Sequence, residues 1–137
     1  MSQRVLISTA PSTTFPISTG SPDISGYNSF AGVSVSQPIQ TFLCKDLSLK
    51  VKATADWTGS YQWEEADRDP TVAGATPVWN LIPGTTAKVA LTAAAGDDIQ
   101  VPTKRCMFIR FNLGTQTGGG PLIPSVEGWG FENRPII

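Results

Sequence analysis

Four carboxylates crowd one short stretch of the chain, and by type and spacing they come nearest to an acid–base site. They are Glu64, Glu65, Asp67 and Asp69, with Arg68 among them. A glycosidase needs two carboxyl groups held about 5 to 10 Å apart, one of which protonates the leaving group. The simpler interpretation is a solvated loop whose charges balance as the chain enters a proline turn. The stretch also lacks the glycine and distal glutamate of a calcium-binding loop.

The residue types used in other kinds of catalytic site are absent or few in this sequence. The chain has no histidine, which removes the usual general base, a common metal ligand and every nucleophile pair that includes histidine. Two cysteines, Cys44 and Cys106, are too few for a zinc site. We expect them to be small buried apolar residues, although a disulfide is possible if they lie on neighbouring strands. We therefore predict no catalytic residue, no metal site, no cofactor and no enzymatic activity.

Alternation of apolar and polar residues is the main structural signal. In residues 47–55 the apolar side chains share one parity and the polar ones the other, which is typical of a half-buried β-strand. Eight such segments are candidates: 33–40, 47–55, 60–65, 78–82, 87–92, 98–101, 106–113 and 126–131. Glycine and proline turns separate them. The glycine-rich residues 114–121 lack the lysine of a phosphate-binding loop, so we predict that they form a mobile hairpin tip. The pattern predicts an all-β fold, a single antiparallel β-sandwich or jelly roll.

Composition narrows the classes of partner. The chain has 137 residues, 40% of them hydrophobic and only 15% charged, against about 25% charged in typical domains. Its net charge is -1, and its cationic residues are scattered, so we expect no nucleic acid partner. No window approaches the length of a membrane span, and the first residues lack the apolar core of a signal peptide. We expect synthesis in a cytoplasm and no membrane association.

The first 32 residues differ from the rest, being rich in serine, threonine, proline and glycine. We predict an extended N-terminal arm over residues 1–32, or a set of short edge strands, followed by a domain over residues 33–137 with a short C-terminal tail. The simpler alternative is a flexible terminus that makes no specific contacts. If the arm orders against a partner, its spaced apolar residues and the tail would make the contacts. Those residues are Val5, Ile7, Phe15, Ile17, Arg134, Ile136 and Ile137.

The tryptophans admit two interpretations. Tyr61 and Trp63 share one strand parity, as an inward-facing sheet requires, which favours core packing. Exposed tryptophans on a β-sandwich can instead stack on sugar rings, and Trp57 and Trp79 are the candidates for such a platform. Arg110 has the opposite parity to its apolar neighbours, so we expect it to point to solvent or to a partner chain.

Four segments together resemble a known family. Residues 56–67 (DWTGSYQWEEAD), 78–82 (VWNLI), 108–113 (FIRFNL) and 126–130 (VEGWG) look like the jelly-roll cement, or decoration, proteins of tailed-bacteriophage capsids. The resemblance implies a non-enzymatic virion protein, made in the host bacterial cytoplasm. It would bind the outer capsid surface and bridge major capsid proteins as a homo-oligomer, a dimer or trimer whose extended termini clasp the shell. The alternative is a receptor- or glycan-binding β-sandwich module of a phage fibre or tail.

Overall fold

Nine strands make up the described part of the chain. The computed structural model describes residues 5–9, 35–36, 38–41, 46–120 and 122–129, and for residues 5–9, Gln40 and Trp129 it describes the backbone alone. The strands are β1 Val5–Thr9, β2 Ile39–Gln40, β3 Asp46–Ala53, β4 Trp57–Ala66, β5 Trp79–Leu81, β6 Lys88–Leu91, β7 Asp98–Gln100, β8 Phe108–Gly118 and β9 Leu122–Trp129. The all-β prediction is confirmed, and each of the eight candidate segments contains or overlaps a strand. In these ranges there is no helix with the length and apolarity to cross a membrane.

The strands form two antiparallel sheets. The first has the order β1-β9-β3-β7, and the second has the order β2-β8-β4-β5, with β6 pairing with β4 beside β5. The longest ladders are β3 with β9 and β4 with β8. The two sheets pack face to face around a shared apolar core. The predicted antiparallel β-sandwich is therefore confirmed.

Aromatic rings from the second sheet occupy the middle of the core. The Tyr61 ring lies 5.3 Å from the Trp57 ring and 5.3 Å from the Phe111 ring, and the Trp63 ring lies 5.1 Å from Phe111, all between centroids. All four side chains are buried, opposite Leu49 and Val51 of β3, which are buried as well. Alternation along β4 and β8 places them on one face of the sheet. The core interpretation of Trp57, Tyr61 and Trp63 is confirmed.

The prediction of a mobile hairpin tip over residues 114–121 is wrong. β8 continues to Gly118, which pairs with Thr58 of β4, and β9 belongs to the other sheet, so β8 and β9 form no hairpin. The Gln116 side chain donates to the carbonyl oxygens of Gly119 and Gly120, both at 3.0 Å. Thr115 and Thr117 alternate along this glycine-rich part of β8. Their hydroxyls pair with those of Ser60 and Thr58 on β4.

Gly119 makes the turn between the sheets, and we expect Gly119→Ala to be destabilising. Its φ is 90°, and a Cβ would lie 2.4 Å from the Asp56 carbonyl oxygen. Gly96 is a matched control, since its φ is 85° but nothing lies within 4 Å. Gly96→Ala should lose about 1 to 2 kcal/mol of unfolding free energy from backbone strain, and Gly119→Ala about 1 to 3 kcal/mol more from the clash. Equal losses in urea denaturation would contradict this account.

The N-terminal segment contributes a strand to the first sheet. β1 pairs with β9 at the sheet edge, with a bulge between Leu6 and Ser8. Val5 and Ile7 therefore belong to a strand of this domain, where only the backbone is described. The remaining predicted contact residues, namely Phe15, Ile17, Arg134, Ile136 and Ile137, lie outside the described residues.

Cys106 is buried with a free thiol, as expected of a small apolar residue. Burial, with smaller contributions from Glu65, raises the pKa of this thiol to about 12. The thiolate needed for nucleophilic chemistry is therefore scarce at neutral pH. Cys44 lies outside the described residues.

Candidate functional site

Polar side chains run along the outer face of β4 and β8. This outer polar stripe consists of Thr58, Ser60, Gln62 and Glu64 on β4 with Arg110, Asn112, Thr115 and Thr117 on β8. The register pairs Gln62 with Asn112 and Glu64 with Arg110. Glu64 is only 5% exposed, although it lies on the face opposite the core. An ionised carboxylate at such a position needs dedicated partners.

Three donors surround the Glu64 carboxylate. Arg110 Nε donates to Oε1 at 2.8 Å, Gln62 Nε2 donates to Oε2 at 2.7 Å, and Asn112 Nδ2 donates to Oε2 at 3.2 Å. Burial alone would raise the pKa of Glu64, but the hydrogen bonds from Arg110, Gln62 and Asn112, with the charge of Arg110, outweigh burial and lower it. Glu64 is therefore ionised at neutral pH and is unsuited to be a proton donor.

The four clustered carboxylates do not converge on one site. Glu65 alternates with Glu64 on β4, and it pairs with Lys104 Nζ at 3.0 Å. Asp67 pairs with Arg68 at 3.0 Å, and Asp69 accepts a hydrogen bond from the Thr71 hydroxyl. The solvated-loop interpretation fits the two aspartates, which follow the end of β4 and are exposed. It does not fit the two glutamates, which lie within β4, as the candidate strand 60–65 predicted. Within the described ranges no group of three or more His, Cys, Asp or Glu residues is placed to hold a metal.

The structure corrects the expectations for Arg110 and for the tryptophan platform. Arg110 lies on the outer face, as its parity predicts, but it is only partly exposed, because it pairs with Glu64 and its guanidinium carbon lies 4.4 Å from the Trp79 ring centroid. Trp57 is 1% exposed, so its ring cannot be offered to a sugar. Trp79 is partly exposed, but Arg110 covers one face of its ring. The predicted pair of sugar-stacking tryptophans is therefore not formed.

A small pocket opens beside the two amide side chains of the outer polar stripe. Its volume is about 220 Å³, and its lining residues are Ser60, Tyr61, Gln62, Ala87, Asn112 and Gly114. The Ser60 hydroxyl, which lines it, lies 3.1 Å from Thr115 Oγ1, and further along the stripe Thr58 Oγ1 lies 2.9 Å from Thr117 Oγ1. The sequence signal for this face was the parity of Ser60, Gln62 and Glu64, but only the register brings Asn112 beside Gln62.

A second polar cluster joins the two sheets at one side of the sandwich. Tyr61 donates its hydroxyl hydrogen to Asp98 Oδ2 at 2.5 Å, Gln100 Nε2 donates to the same oxygen at 3.1 Å, and Lys88 Nζ lies 3.6 Å from Asp98 Oδ1. Burial, then the hydrogen bond to Asp98 and its charge, raise the pKa of Tyr61 well above its usual value. These contacts hold β6 of one sheet beside β7 of the other.

The side of the sandwich formed by β6 and β7 combines open strand edges with exposed apolar residues. Among the strands described, β6 pairs with β4 alone and β7 with β3 alone. Val89 on β6, Ile99 on β7 and Val101 just after it are 69%, 56% and 55% exposed. We call these two strands with Val101 the β6–β7 edge.

Comparison with protein-family models, with curated proteins and with solved structures finds no match to this chain. Among the described residues, the outer polar stripe with its pocket and the β6–β7 edge are candidate binding surfaces.

Proposed function

We propose that this protein is a non-enzymatic virion structural protein that binds the outside of a phage capsid lattice and stabilises it by bridging major capsid proteins. The resemblance of residues 56–67, 78–82, 108–113 and 126–130 to capsid decoration proteins supports the proposal, as does the β-sandwich fold. The observation that carries it is the β6–β7 edge, where each sheet ends in an open strand edge that carries exposed β-branched residues.

This edge is suited to binding an extended segment of a partner. An open edge offers backbone N–H and C=O groups to an added strand, and alternate side chains fill pockets on the partner. Soluble proteins usually protect such edges with outward-pointing charges, above all lysine. Here the charges of Lys88 and Asp98 are directed at each other. Val89 and Ile99, the residues that follow them, are left as the exposed side chains.

A decoration protein of this size would gain most of its affinity for the capsid from multivalent binding. Several weak contacts within one homo-oligomer, a dimer or trimer, act together through effective concentration once the first contact forms. The predicted arm and tail contacts would add to the contacts at the β6–β7 edge. We accordingly propose the major capsid protein as the partner and the outer capsid surface as the location.

Lysine at Val89 or Ile99 should weaken capsid binding without unfolding the protein. Surface changes of this kind alter the free energy of unfolding by about 0.5 kcal/mol or less, whereas a charge buried in an apolar contact should reduce affinity at least roughly tenfold. Val72→Lys is the matched control, because Val72 is 57% exposed in the loop between β4 and β5. Binding is measured by co-sedimentation with capsids that lack this protein, and the oligomer by light scattering.

The control defines which result counts against the proposal. Wild type and Val72→Lys should sediment saturably with capsids and raise the resistance of the shell to heat. If the two edge variants bind as tightly as wild type, the β6–β7 edge is not the contact. A stable oligomer that ignores every capsid offered would argue against the decoration role altogether.

The alternative is a receptor- or glycan-binding module of a phage fibre or tail. One observation favours it, the pocket beside Gln62 and Asn112. This alternative predicts retention of the protein on a glycan surface in the absence of capsids, and equal retention of the Val89→Lys and Ile99→Lys variants.

A further inference from the structure

The pocket on the outer polar stripe has the size of a site for one small ring. Its volume of about 220 Å³ is below the roughly 300 to 1,000 Å³ of pockets that bind drug-sized ligands. Ser60 and Gly114 line it, whereas Glu64 and Arg110 do not. The pocket therefore lies on the side of the Gln62 and Asn112 amides that faces away from the buried carboxylate.

Glu64 determines which end of each amide is occupied within the outer polar stripe. An ionised carboxylate only accepts hydrogen bonds, so both NH₂ groups must point towards it. The carbonyl oxygens of Gln62 and Asn112 are not used by Glu64, and both side chains line the pocket, so these oxygens are available to accept hydrogen bonds from a ligand there. The carboxylate also polarises both amides, which makes their oxygens stronger acceptors.

The other lining groups complete a mixed polar and apolar surface. The Ser60 hydroxyl is paired with Thr115, and either can be the donor, so Ser60 can give or accept a hydrogen bond. Gly114 keeps the floor open, because a Cβ there would lie 2.8 Å from Ser60 Oγ. Ala87 supplies a methyl group on one wall.

We propose that this pocket binds a neutral sugar ring through its hydroxyl groups. Neighbouring hydroxyls can donate to the two amide oxygens, while another exchanges a hydrogen bond with Ser60. An anion would find no cationic side chain among the lining residues. A cation would lose its hydration for neutral acceptors only, because the charge of Glu64 is already balanced by Arg110. The proposal does not rest on the capsid role, since its site is separate from the β6–β7 edge.

Titration of the isotope-labelled full chain tests this site directly. NMR signals of the Gln62 and Asn112 side-chain NH₂ groups are followed while glucose, galactose, mannose or N-acetylglucosamine is added. We expect saturating shifts with at least one sugar and a Kd in the millimolar range, about 4 kcal/mol of binding free energy, as suits one small open site. Methylammonium is the cation probe, and a glycan array distinguishes a free sugar from the terminal residue of a polysaccharide.

A blocking variant and its matched control make the result specific. Ala87→Leu should fill the pocket and weaken sugar binding at least roughly tenfold through lost contacts. Ala90→Leu adds the same side chain to an exposed position of β6 outside the pocket and should leave binding unchanged. Sugar shifts lost in Ala87→Leu and kept in Ala90→Leu support the proposal. Absence of saturation with every sugar, shifts that persist in Ala87→Leu, or a response to methylammonium alone would overturn it.

Discussion

Trp57→Ala is expected to lower the free energy of unfolding by about 3 to 5 kcal/mol, the range found when a large buried aromatic side chain is removed. Trp57 is 1% exposed, and its ring lies 5.3 Å from that of Tyr61. The backbone of Gly59 also approaches it, since a Cβ there would lie 2.8 Å from the indole. Because the ring is closely packed on several sides, the surrounding groups cannot fill all of the cavity that alanine would leave.

Urea denaturation followed by circular dichroism measures the loss, and Trp79→Ala is the control. Trp79 lies on the outer face with Arg110 over its ring, so its removal should lose only about 1 kcal/mol. Should Trp57→Ala unfold completely, Trp57→Phe gives a smaller, measurable loss of the same origin. Similar losses for the Trp57→Ala and Trp79→Ala proteins would contradict the placement of Trp57 in the core.

Arg110→Met should be the second most damaging change, with an expected loss of about 3 to 5 kcal/mol at neutral pH. Methionine keeps part of the side-chain volume but leaves the Glu64 carboxylate buried without its cation. The control is Lys104→Met, which breaks the ion pair of Glu65. That pair is more exposed, at 51% for the Lys104 side chain, and should contribute less than about 1 kcal/mol.

The pH dependence of the Arg110→Met protein provides an independent readout. In wild type the pKa of Glu64 is lowered by folding, so its contribution is present above the unfolded pKa, about 4.3, and is lost as the pH falls through the folded value. Without Arg110, burial dominates and the pKa of Glu64 should exceed the unfolded one. Its contribution then changes sign, and the variant should become more stable from pH 7 to pH 5 relative to wild type. If the free energy of unfolding of the Arg110→Met protein and of wild type changed with pH in parallel, this account would be contradicted.

Alternation along the chain was sufficient to predict strands but not their partners. The parity of Tyr61 and Trp63 correctly placed both rings in the core, because side-chain direction is a local property of an extended backbone. The position of Arg110 opposite Glu64, which is 46 residues away in the chain, depends on how β4 and β8 are aligned. That alignment is set by the whole core, and no short segment contains it.

Local composition was misleading where polar residues belong to a strand. The candidate strand 60–65 correctly included Glu64 and Glu65, but their nearness to Asp67 and Asp69 led to the wrong expectation that their charges are solvated. Gly59 also looked like a turn before a strand, whereas the structure places it at a bulge inside β4. A bulge or a buried ion pair is stabilised by tertiary contacts, and these override local preference. The pocket of the outer polar stripe was missed for the same reason.

The order of strands in the first sheet has a consequence for how the protein is made. β9, the last of the described strands, lies between β1 and β3. On the ribosome, β1 and one edge of β3 must therefore wait for residues 122–129 before they gain a partner, while β4 and β8 can already pair. The second sheet is expected to form first, with its apolar face uncovered until β9 has been synthesised. The nascent chain is most prone to aggregate in that interval.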